Sequence, residues 1–265
     1  MASPIIKVAV GNDLKDSIRQ AVEGLGGFTR FVAPGDKILI KPNFNTADPY
    51  PGSSDRDFVA AFAELCREAG AGEIMVGDSC TYFLKTASVM KKWGCHLLMT
   101  GRPWLKIVNF DEGKWVKKPV PGGKYLRSVS VPELLDQIDK LFILPCLKTH
   151  ALAQYTGALK LSVGLMKPIE RLPMHASRLQ EKVAEINAVV KPDLIVMDAR
   201  KCFIAGGPMS GELREPGLVL ASTSRTAIDL EGIKIIQSYE NNDLAGIVPE
   251  QLPQMKRALE LGIDG

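Results

Sequence analysis

Short apolar runs that alternate with amphipathic segments restrict the fold of this chain more than any other feature. Runs rich in Val, Ile and Leu predict strands at residues 5–10, 37–41, 73–76, 105–110, 140–144, 193–197 and 217–221. Most of these runs are apolar on consecutive residues, which is typical of strands covered on both faces. Helices are predicted at residues 14–25, 55–69, 83–93, 176–190, 225–240 and 250–261. The alternation predicts a three-layer α/β sandwich with a mainly parallel sheet.

One segment departs from this alternation. Residues 113–132 contain two alternating stretches around Pro121-Gly122-Gly123, which predicts an inserted β-hairpin with a glycine turn. Two interpretations stay open: a flap or dimerisation arm, and an ornament at the edge of the sheet. Because neither a repeat nor a linker divides the sequence, we expect a single α/β domain over residues 1–265.

Composition excludes several classes of protein. The chain has 265 residues, of which 46% are hydrophobic and 24% charged, as in an ordinary folded domain. A net charge of +3 and an aromatic share of 6% argue against a nucleic-acid partner, and the apolar runs are too short to span a membrane. Five cysteines without a tight spacing argue against a disulfide scaffold, so we expect the protein to be located in the reducing cytoplasm.

Polar residues follow four of the predicted strands. Ligands of open parallel sheets bind beyond the carboxyl ends of the strands, so these residues are the candidate site. In chain order they are Lys41, Asn43, Asn45, Asp78, Ser79, Cys80, Cys146, Lys148, Thr149, His150, Asp198, Cys202, Gly206 and Gly207.

The motifs at these positions resemble those of family 362 of the domains of unknown function. The shared motifs are Lys41-Pro42-Asn43, Gly77-Asp78-Ser79, Leu147-Lys148-Thr149-His150, Thr156-Gly157-Ala158-Leu159-Lys160, His175 and Gly206-Gly207-Pro208. The resemblance implies a single α/β domain and no generally established activity. Some members carry a fused ferredoxin-like segment with iron–sulfur cysteine motifs, and this sequence has no Cys-x-x-Cys-x-x-Cys run. A more remote similarity, limited to Lys and His at strand ends, is to nickel-dependent lactate racemase.

Two of the three histidines, His150 and His175, fall within these motifs. A neutral imidazole can ligate a metal or transfer a proton near pH 7, so we predict catalytic roles for both, with Lys148 and Asp198 beside them. The alternative for His150 is to cap a helix that begins near Ala151. Asp198 has the alternatives of metal ligand, general base or helix cap.

A cationic rim favours a small anionic ligand. The residues predicted to bind this anion are Lys41, Asn43, Asn45, Ser79, Thr149, Lys160, Arg171, Gly206 and Gly207. The glycines are included because backbone amides can approach an anion closely where no side chain intervenes. The alternative for the glycine segment is a flexible loop.

Three cysteines, Cys80, Cys146 and Cys202, each follow a predicted strand. If they converge, they can hold an iron–sulfur cluster or a zinc ion, with Asp78 as a further metal ligand. The alternative is three small buried residues, because free cysteine is among the most buried residue types.

Three functions remain open from the sequence. The first is a metal- or iron–sulfur-centred enzyme or redox protein that acts on a small anionic substrate, with a ferredoxin-type protein as a redox partner. The second is a metal-dependent isomerase or racemase of a small carboxylate, in which two bases flank the reacting carbon. The third is a non-catalytic module that binds an anion or a protein partner, with the 113–132 hairpin as its interface.

Overall fold

The structure, a computed structural model, describes residues 4–264; residues 1–3 and 265 of the expected domain lie outside the described part. The strands are β1 (Ile5–Ala9), β2 (Lys37–Lys41), β3 (Glu73–Asp78), β4 (Leu105–Asn109), β5 (Trp115–Pro119), β6 (Ser128–Pro132), β7 (Lys140–Ile143), β8 (Cys146–His150), β9 (Gln154–Thr156), β10 (Leu194–Ala205), β11 (Glu212–Arg214) and β12 (Leu218–Ser222). The helices are α1 (Leu14–Glu23), α2 (Arg56–Glu68), α3 (Thr86–Trp93), α4 (Cys95–Leu98), α5 (Ala158–Leu161), α6 (Pro168–Ala176), α7 (Leu179–Ile186), α8 (Arg225–Gln237) and α9 (Pro253–Glu260).

A ten-stranded sheet forms the centre of the fold, with the principal strand order β1-β12-β10-β7-β2-β3-β4. Strands β10, β7, β2, β3 and β4 pair in parallel, as the alternation of strands and helices predicts. Strand β12 pairs antiparallel with both β10 and β1, so the sheet is mixed at this side. The chain passes from β10 to β12 through β11 without a helix, whereas a parallel return needs a longer crossover.

Helices cover both faces of the sheet, which confirms the predicted α/β fold. Successive side chains of a strand point to opposite faces, so Ile38 and Ile40 of β2 join one core and Leu39 joins the other. Helices α1 and α2 pack on the first face, and α7, α8 and α9 pack on the second. Helix α2 begins after Asp55, whose side chain accepts a hydrogen bond from the Phe58 amide and caps the helix.

The predicted hairpin is present as β5 and β6, which form a separate two-stranded antiparallel sheet. It does not project as an arm, because Val129 and Val131 are fully buried in the second core. Its turn is held by Glu185 of α7, which accepts hydrogen bonds from three backbone amides at residues 124–126. Arg257 of α9 pairs with the same buried carboxylate. The hairpin therefore packs against the rest of the protein. It does not extend the edge of the main sheet, because its two strands pair only with each other among the described residues.

The chain after β7 differs from the sequence expectation. Pro145 interrupts the strand, and the chain then continues as β8, which pairs in parallel with the distal half of β10. Strand β9 turns back on β8, so a hairpin occupies the place of the helix expected to begin near Ala151. Strand β10 runs from Leu194 to Ala205, well beyond the predicted residues 193–197, because it has partners along its whole length.

None of the helices within residues 4–264 is both long and apolar enough to cross a membrane.

Candidate functional site

A cavity of about 350 Å³ lies at the carboxyl ends of β2 and β3, between β8, α5 and α6. The structure brings many of the predicted site residues to its wall: Lys41, Asn43, Asn45, Asp78, Ser79, Lys148, His150, Lys160, Arg171, His175 and Gly207. The other predicted residues lie outside the lining: Thr149, Asp198, Gly206, Cys80, Cys146 and Cys202.

Lys41 and Asp78 form a buried ion pair at the base of the cavity. Lys41 Nζ lies 2.9 Å from Asp78 Oδ1, and both side chains are almost completely buried. The Asp78 carboxylate also accepts hydrogen bonds from the amides of Phe44 and Ser79. Burial raises the pKa of Asp78 and lowers the pKa of Lys41, and the ion pair opposes both shifts. Asp78 therefore balances the charge of Lys41 within the protein. The Asp78 carboxylate binds three donors of the protein rather than a metal.

Gly164 lets a third segment approach this ion pair. A Cβ atom at this position would lie 2.6 Å from both Asp78 Oδ1 and Lys41 Nζ, so a side chain cannot fit without displacing the pair. The absence of a side chain here keeps the base of the cavity compact.

Arg171 holds the wall of the cavity together. Its guanidinium is buried and donates hydrogen bonds to the carbonyl oxygens of Ser79, Cys80, Gly164 and Met166. These bonds connect the end of β3 to the segment between α5 and α6. Burial lowers the pKa of Arg171 to about 10, and the side chain stays charged at neutral pH. Its donors are occupied by the backbone, so the structure corrects its predicted role as an anion ligand to a structural one.

Lys148 and Lys160 provide the cationic character of the cavity. Lys148 Nζ donates to the carbonyl oxygen of Gly52 at 2.5 Å, and burial lowers the pKa of Lys148 to about 8. Burial likewise lowers the pKa of Lys160 to about 8, and the charges of Lys148 and Arg171 add to this shift. Among residues 4–264, no carboxylate oxygen lies within 4.0 Å of either lysine amine, although the charge of Asp48 acts on Lys148 from a longer distance. A bound anion would supply the missing counter-charge.

His150 faces the cavity as a hydrogen-bond donor. Its Nδ1 accepts hydrogen bonds from the backbone amides of Leu152 and Ala153, at 3.1 and 3.2 Å, so the proton of the neutral ring lies on Nε2. Burial lowers the pKa of His150 to about 2, and the charges of Lys160 and Lys148 contribute. The ring therefore stays neutral at physiological pH. Its capping alternative is realised in part, at the β8–β9 turn rather than at a helix.

His175 faces the same cavity with the opposite polarity. Its Nδ1 lies 2.7 Å from the carbonyl oxygen of Arg171, which can only accept, so Nδ1 carries the proton. The Nε2 atom of the neutral ring then presents a lone pair and can accept a proton. The Tyr82 ring packs beside the imidazole, with ring centroids 5.9 Å apart.

Asp198, expected to be catalytic, is a structural residue. Its carboxylate accepts two hydrogen bonds from the Arg200 guanidinium, at 2.9 and 2.7 Å, one from the Arg200 backbone amide at 3.2 Å and one from Tyr50 Oη at 2.6 Å. Burial raises the pKa of Asp198, which Arg200 opposes. It lies inside β10, so it neither caps a helix nor reaches the cavity.

The glycine segment forms a wall rather than an anion cradle. The Gly206 amide donates to Asp243, so it is not available to a ligand. Gly207 packs so closely on β8 that a Cβ atom would lie 2.0 Å from the carbonyl oxygen of Thr149. Thr149 itself is fully buried, and its hydroxyl has no hydrogen-bond partner among the described residues.

The three cysteines of the predicted metal centre do not converge. Cys80 Sγ lies 3.2 Å from Thr86 Oγ1, Cys146 lies beside Ser54, and Cys202 belongs to the apolar core. Burial raises the pKa of each thiol, that of Cys146 to about 11 and that of Cys202 to about 12. Because the three thiols have separate surroundings, they do not form a shared metal or cluster site in the described part of the chain.

Other side chains do not supply a metal site in the described residues either. In the part of the chain that the structure describes, no three His, Cys, Asp or Glu side chains come together to hold a metal ion. The donor set therefore does not fit a metal held by protein side chains alone.

Sequence reasoning missed the apolar part of the site and one supporting carboxylate. Tyr82 and Phe83 line the cavity, and the sequence indicates them by an apolar run that follows the Gly77-Asp78-Ser79 motif after two intervening residues. Asp229 of α8 accepts hydrogen bonds from the amides of residues 158 and 159, which fixes the start of the helix that carries Lys160. Asp229 lies on a distant helix, so no local motif indicates this contact.

The fold and the cavity together define an α/β protein with a cationic, histidine-containing site at its strand ends. The chain belongs to the family described as "Domain of unknown function (DUF362)", whose model matches residues 38–234. It is 31% identical over 257 residues to the thylakoid-associated protein sll1697 of Synechocystis sp., an alignment that covers 94% of this chain and 75% of that protein.

Among solved structures, the lactate racemase apoprotein from Thermoanaerobacterium thermosaccharolyticum shares the fold. The TM-score is 0.51 at 13% sequence identity. The match covers 88% of this chain and 62% of the racemase chain, so this chain spans less than two thirds of that protein.

Proposed function

We propose that this protein is an isomerase or racemase of a small carboxylate, and that its reaction begins with removal of a proton from the carbon beside a carboxylate or carbonyl group. The observation that carries the proposal is the opposite hydrogen-bonding polarity of His150 and His175 in one cationic cavity. One ring can accept a proton and the other can donate a hydrogen bond, which are the two functions that proton abstraction requires.

Lys148 and Lys160 bind and orient the substrate in this mechanism. Both are charged at neutral pH, and among the described residues only the more distant Asp48 carboxylate acts on Lys148, while none acts on Lys160. The negative charge of the substrate carboxylate balances the positive charges of these two lysines. Fixing the substrate in this way holds the reacting carbon in one orientation towards the histidines.

His175 is the general base. Its Nε2 takes the proton from the carbon, the electron pair of the C–H bond forms a double bond to the adjacent carboxylate or carbonyl carbon, and the π pair of that C=O group moves to its oxygen. The Arg171 carbonyl stabilises the resulting imidazolium, because it accepts the hydrogen bond from Nδ1. Delivery of the proton to the neighbouring carbon of the enolate gives the isomer and restores the neutral base; delivery to the opposite face of the original carbon, from solvent, gives the racemate, and His175 then loses its proton to solvent.

His150 stabilises the oxyanion that forms in this step. A neutral imidazole with its proton on Nε2 donates a hydrogen bond to the oxyanion and itself stays uncharged. The low pKa of His150 keeps the ring in that form, and the amides of Leu152 and Ala153 fix its orientation.

Similarity to a solved racemase supports this class of reaction. The structural neighbour is a lactate racemase, lactate is a small carboxylate, and this chain shares the fold of that protein. The cavity of about 350 Å³ is of the size that accepts such molecules.

The test is deuterium incorporation from D₂O into a panel of 2-hydroxy and 2-oxo carboxylates, followed by NMR. We expect the wild-type protein to exchange the hydrogen beside the carboxylate or carbonyl group. His175→Gln should lower this rate about 100- to 10,000-fold, and His150→Gln about 100- to 1,000-fold. His96→Gln is the matched control, because His96 is exposed and does not line the cavity.

Each result decides one part of the proposal. Exchange that is equally fast in His175→Gln would remove the assignment of the base. Carboxylates that bind and stabilise the protein without any exchange would show a binding module rather than an enzyme.

A further inference from the structure

Large apolar side chains surround the mouth of the cavity, although its base is charged. Four of them line the cavity and remain exposed, and we name this set the apolar collar: Tyr82, Phe83, Leu152 and Met209. Phe83 and Leu152 are each 64% exposed, which is a high exposure for large apolar side chains that line a cavity. Single exposed apolar residues need no explanation, whereas a group on one rim marks a binding surface.

Helix α6 extends this apolar surface away from the cavity. Ile169 and Leu172 are exposed, and together with His175 they recur at spacings of three residues, which places them on one side of the helix. His175 contacts Tyr82 of the collar through its ring. The surface therefore runs from the site of proton transfer outward along α6.

We propose that the substrate is an amphipathic carboxylate, whose head binds Lys148 and Lys160 and whose apolar tail lies against the apolar collar. This inference rests on the proposed function and names its substrate class. The charged groups are buried at the base and the apolar groups are exposed at the mouth, so the cavity matches a molecule with one anionic end and one apolar end.

The collar specifies a tail rather than a second polar group. Tyr82 and Phe83 pack edge to face, with ring centroids 5.4 Å apart, and present an aromatic surface to the cavity. A tail that covers these rings removes apolar area from water on both molecules, which is the main source of affinity at such a surface.

The test is a binding series of straight-chain 2-hydroxy acids from lactate to 2-hydroxyoctanoate, measured by calorimetry with the full-length protein. We expect the dissociation constant to fall about two- to fourfold for each added methylene that reaches the collar. Phe83→Ala and Leu152→Ala should each reduce the ratio between the longest and the shortest acid by about fivefold. Leu97→Ala is the control, because Leu97 is also an exposed leucine but does not line the cavity.

The outcomes separate this inference from the proposed function. A dissociation constant that does not change along the series would overturn the amphipathic substrate and leave the carboxylate site intact. A chain-length dependence that survives both collar variants would place the tail elsewhere and also overturn it. Failure of every acid to bind, lactate included, would overturn the proposed function and this inference together.

Discussion

His150 and His175 face one cavity with their ring protons on opposite nitrogens. Two backbone amides fix the first ring, and one backbone carbonyl fixes the second. The difference between the two rings is therefore set by the fold and is present before any ligand binds. An acid–base site that needs no rearrangement on binding is preorganised for its reaction.

Anion binding is expected to weaken as the pH rises through about 8. Lys148 and Lys160 each have a pKa of about 8, and each must be protonated to attract an anion. Above that pH, the dissociation constant should rise about tenfold per pH unit for each lysine required. Calorimetric titration with a small carboxylate at pH values from about 6.5 to 9.5, at constant ionic strength, measures this change in the dissociation constant.

Lys160→Met should weaken anion binding at pH 7 and remove one of these two proton dependences. Lys167→Met, an exposed lysine at the start of α6, is the matched control. Affinity that stays constant up to pH 9.5 would exclude both lysines as the anion site.

Lys41→Met is expected to destabilise the protein by about 3–5 kcal/mol, because it leaves the buried Asp78 carboxylate without its cation. Urea unfolding measures the change. The double variant Lys41→Met/Asp78→Asn should recover part of the loss. Lys37→Met changes an exposed lysine at the other end of β2 and should shift stability by less than about 0.5 kcal/mol. A similar loss in both single variants would contradict the ion pair as the cause.

The free energy of unfolding should fall as the pH is lowered below 6.5. The pKa of His150 is about 2 in the folded protein and near 6.5 in the unfolded chain, so acid protonates the unfolded state first. A single such group contributes about 1.4 kcal/mol per pH unit over this window. Denaturant unfolding at several pH values between 4 and 7 should show this slope in wild type (roughly one proton).

The His150→Gln variant supplies the control for that slope. Its unfolding free energy should depend less on pH than that of wild type, whereas His96→Gln should retain the full dependence, because His96 is exposed. An unchanged slope in His150→Gln would show that another group accounts for it.

Gly164→Ala is expected to lower stability by about 1–3 kcal/mol and to weaken carboxylate binding, because its Cβ would overlap Lys41 and Asp78. Gly11→Ala is the matched control, since a Cβ at Gly11 meets no atom within 4 Å. Thermal unfolding and calorimetry test both variants. Equal stability of the two would mean that the segment around Gly164 relaxes without cost.

The strand ends were predictable from the sequence because the apolar runs are strong and the central strands pair in parallel. Lys41 and Asp78 meet because β2 and β3 are neighbours in register, with Ile40 opposite Val76. Their mutual neutralisation was not predictable, since the pattern that identifies a strand does not give its partner. Counting charges therefore overstated the number of cations open to a ligand.

Arg171 and the cysteines show a second limit. The partners of Arg171 are carbonyl oxygens, which every residue carries, so no residue type in the sequence marks them. Cys146 pairs with Asp198 in the sheet, and Cys202 lies further along the same strand β10, opposite Arg214. Each of these cysteines follows a predicted strand, but they do not come together. The predicted loop that holds Cys202 is in fact the continuation of strand β10.

Strand β10 begins in the interior of the sheet beside β7 and ends beside β8, whose residues Lys148 and His150 wall the cavity. The backbone of the cavity wall is thereby joined to the centre of the molecule by one uninterrupted strand. Amide hydrogens that connect β8 to β10 can exchange with solvent only when both strands separate. The wall should accordingly be as slow to exchange as the central sheet, and the empty protein should keep the shape in which it receives its ligand.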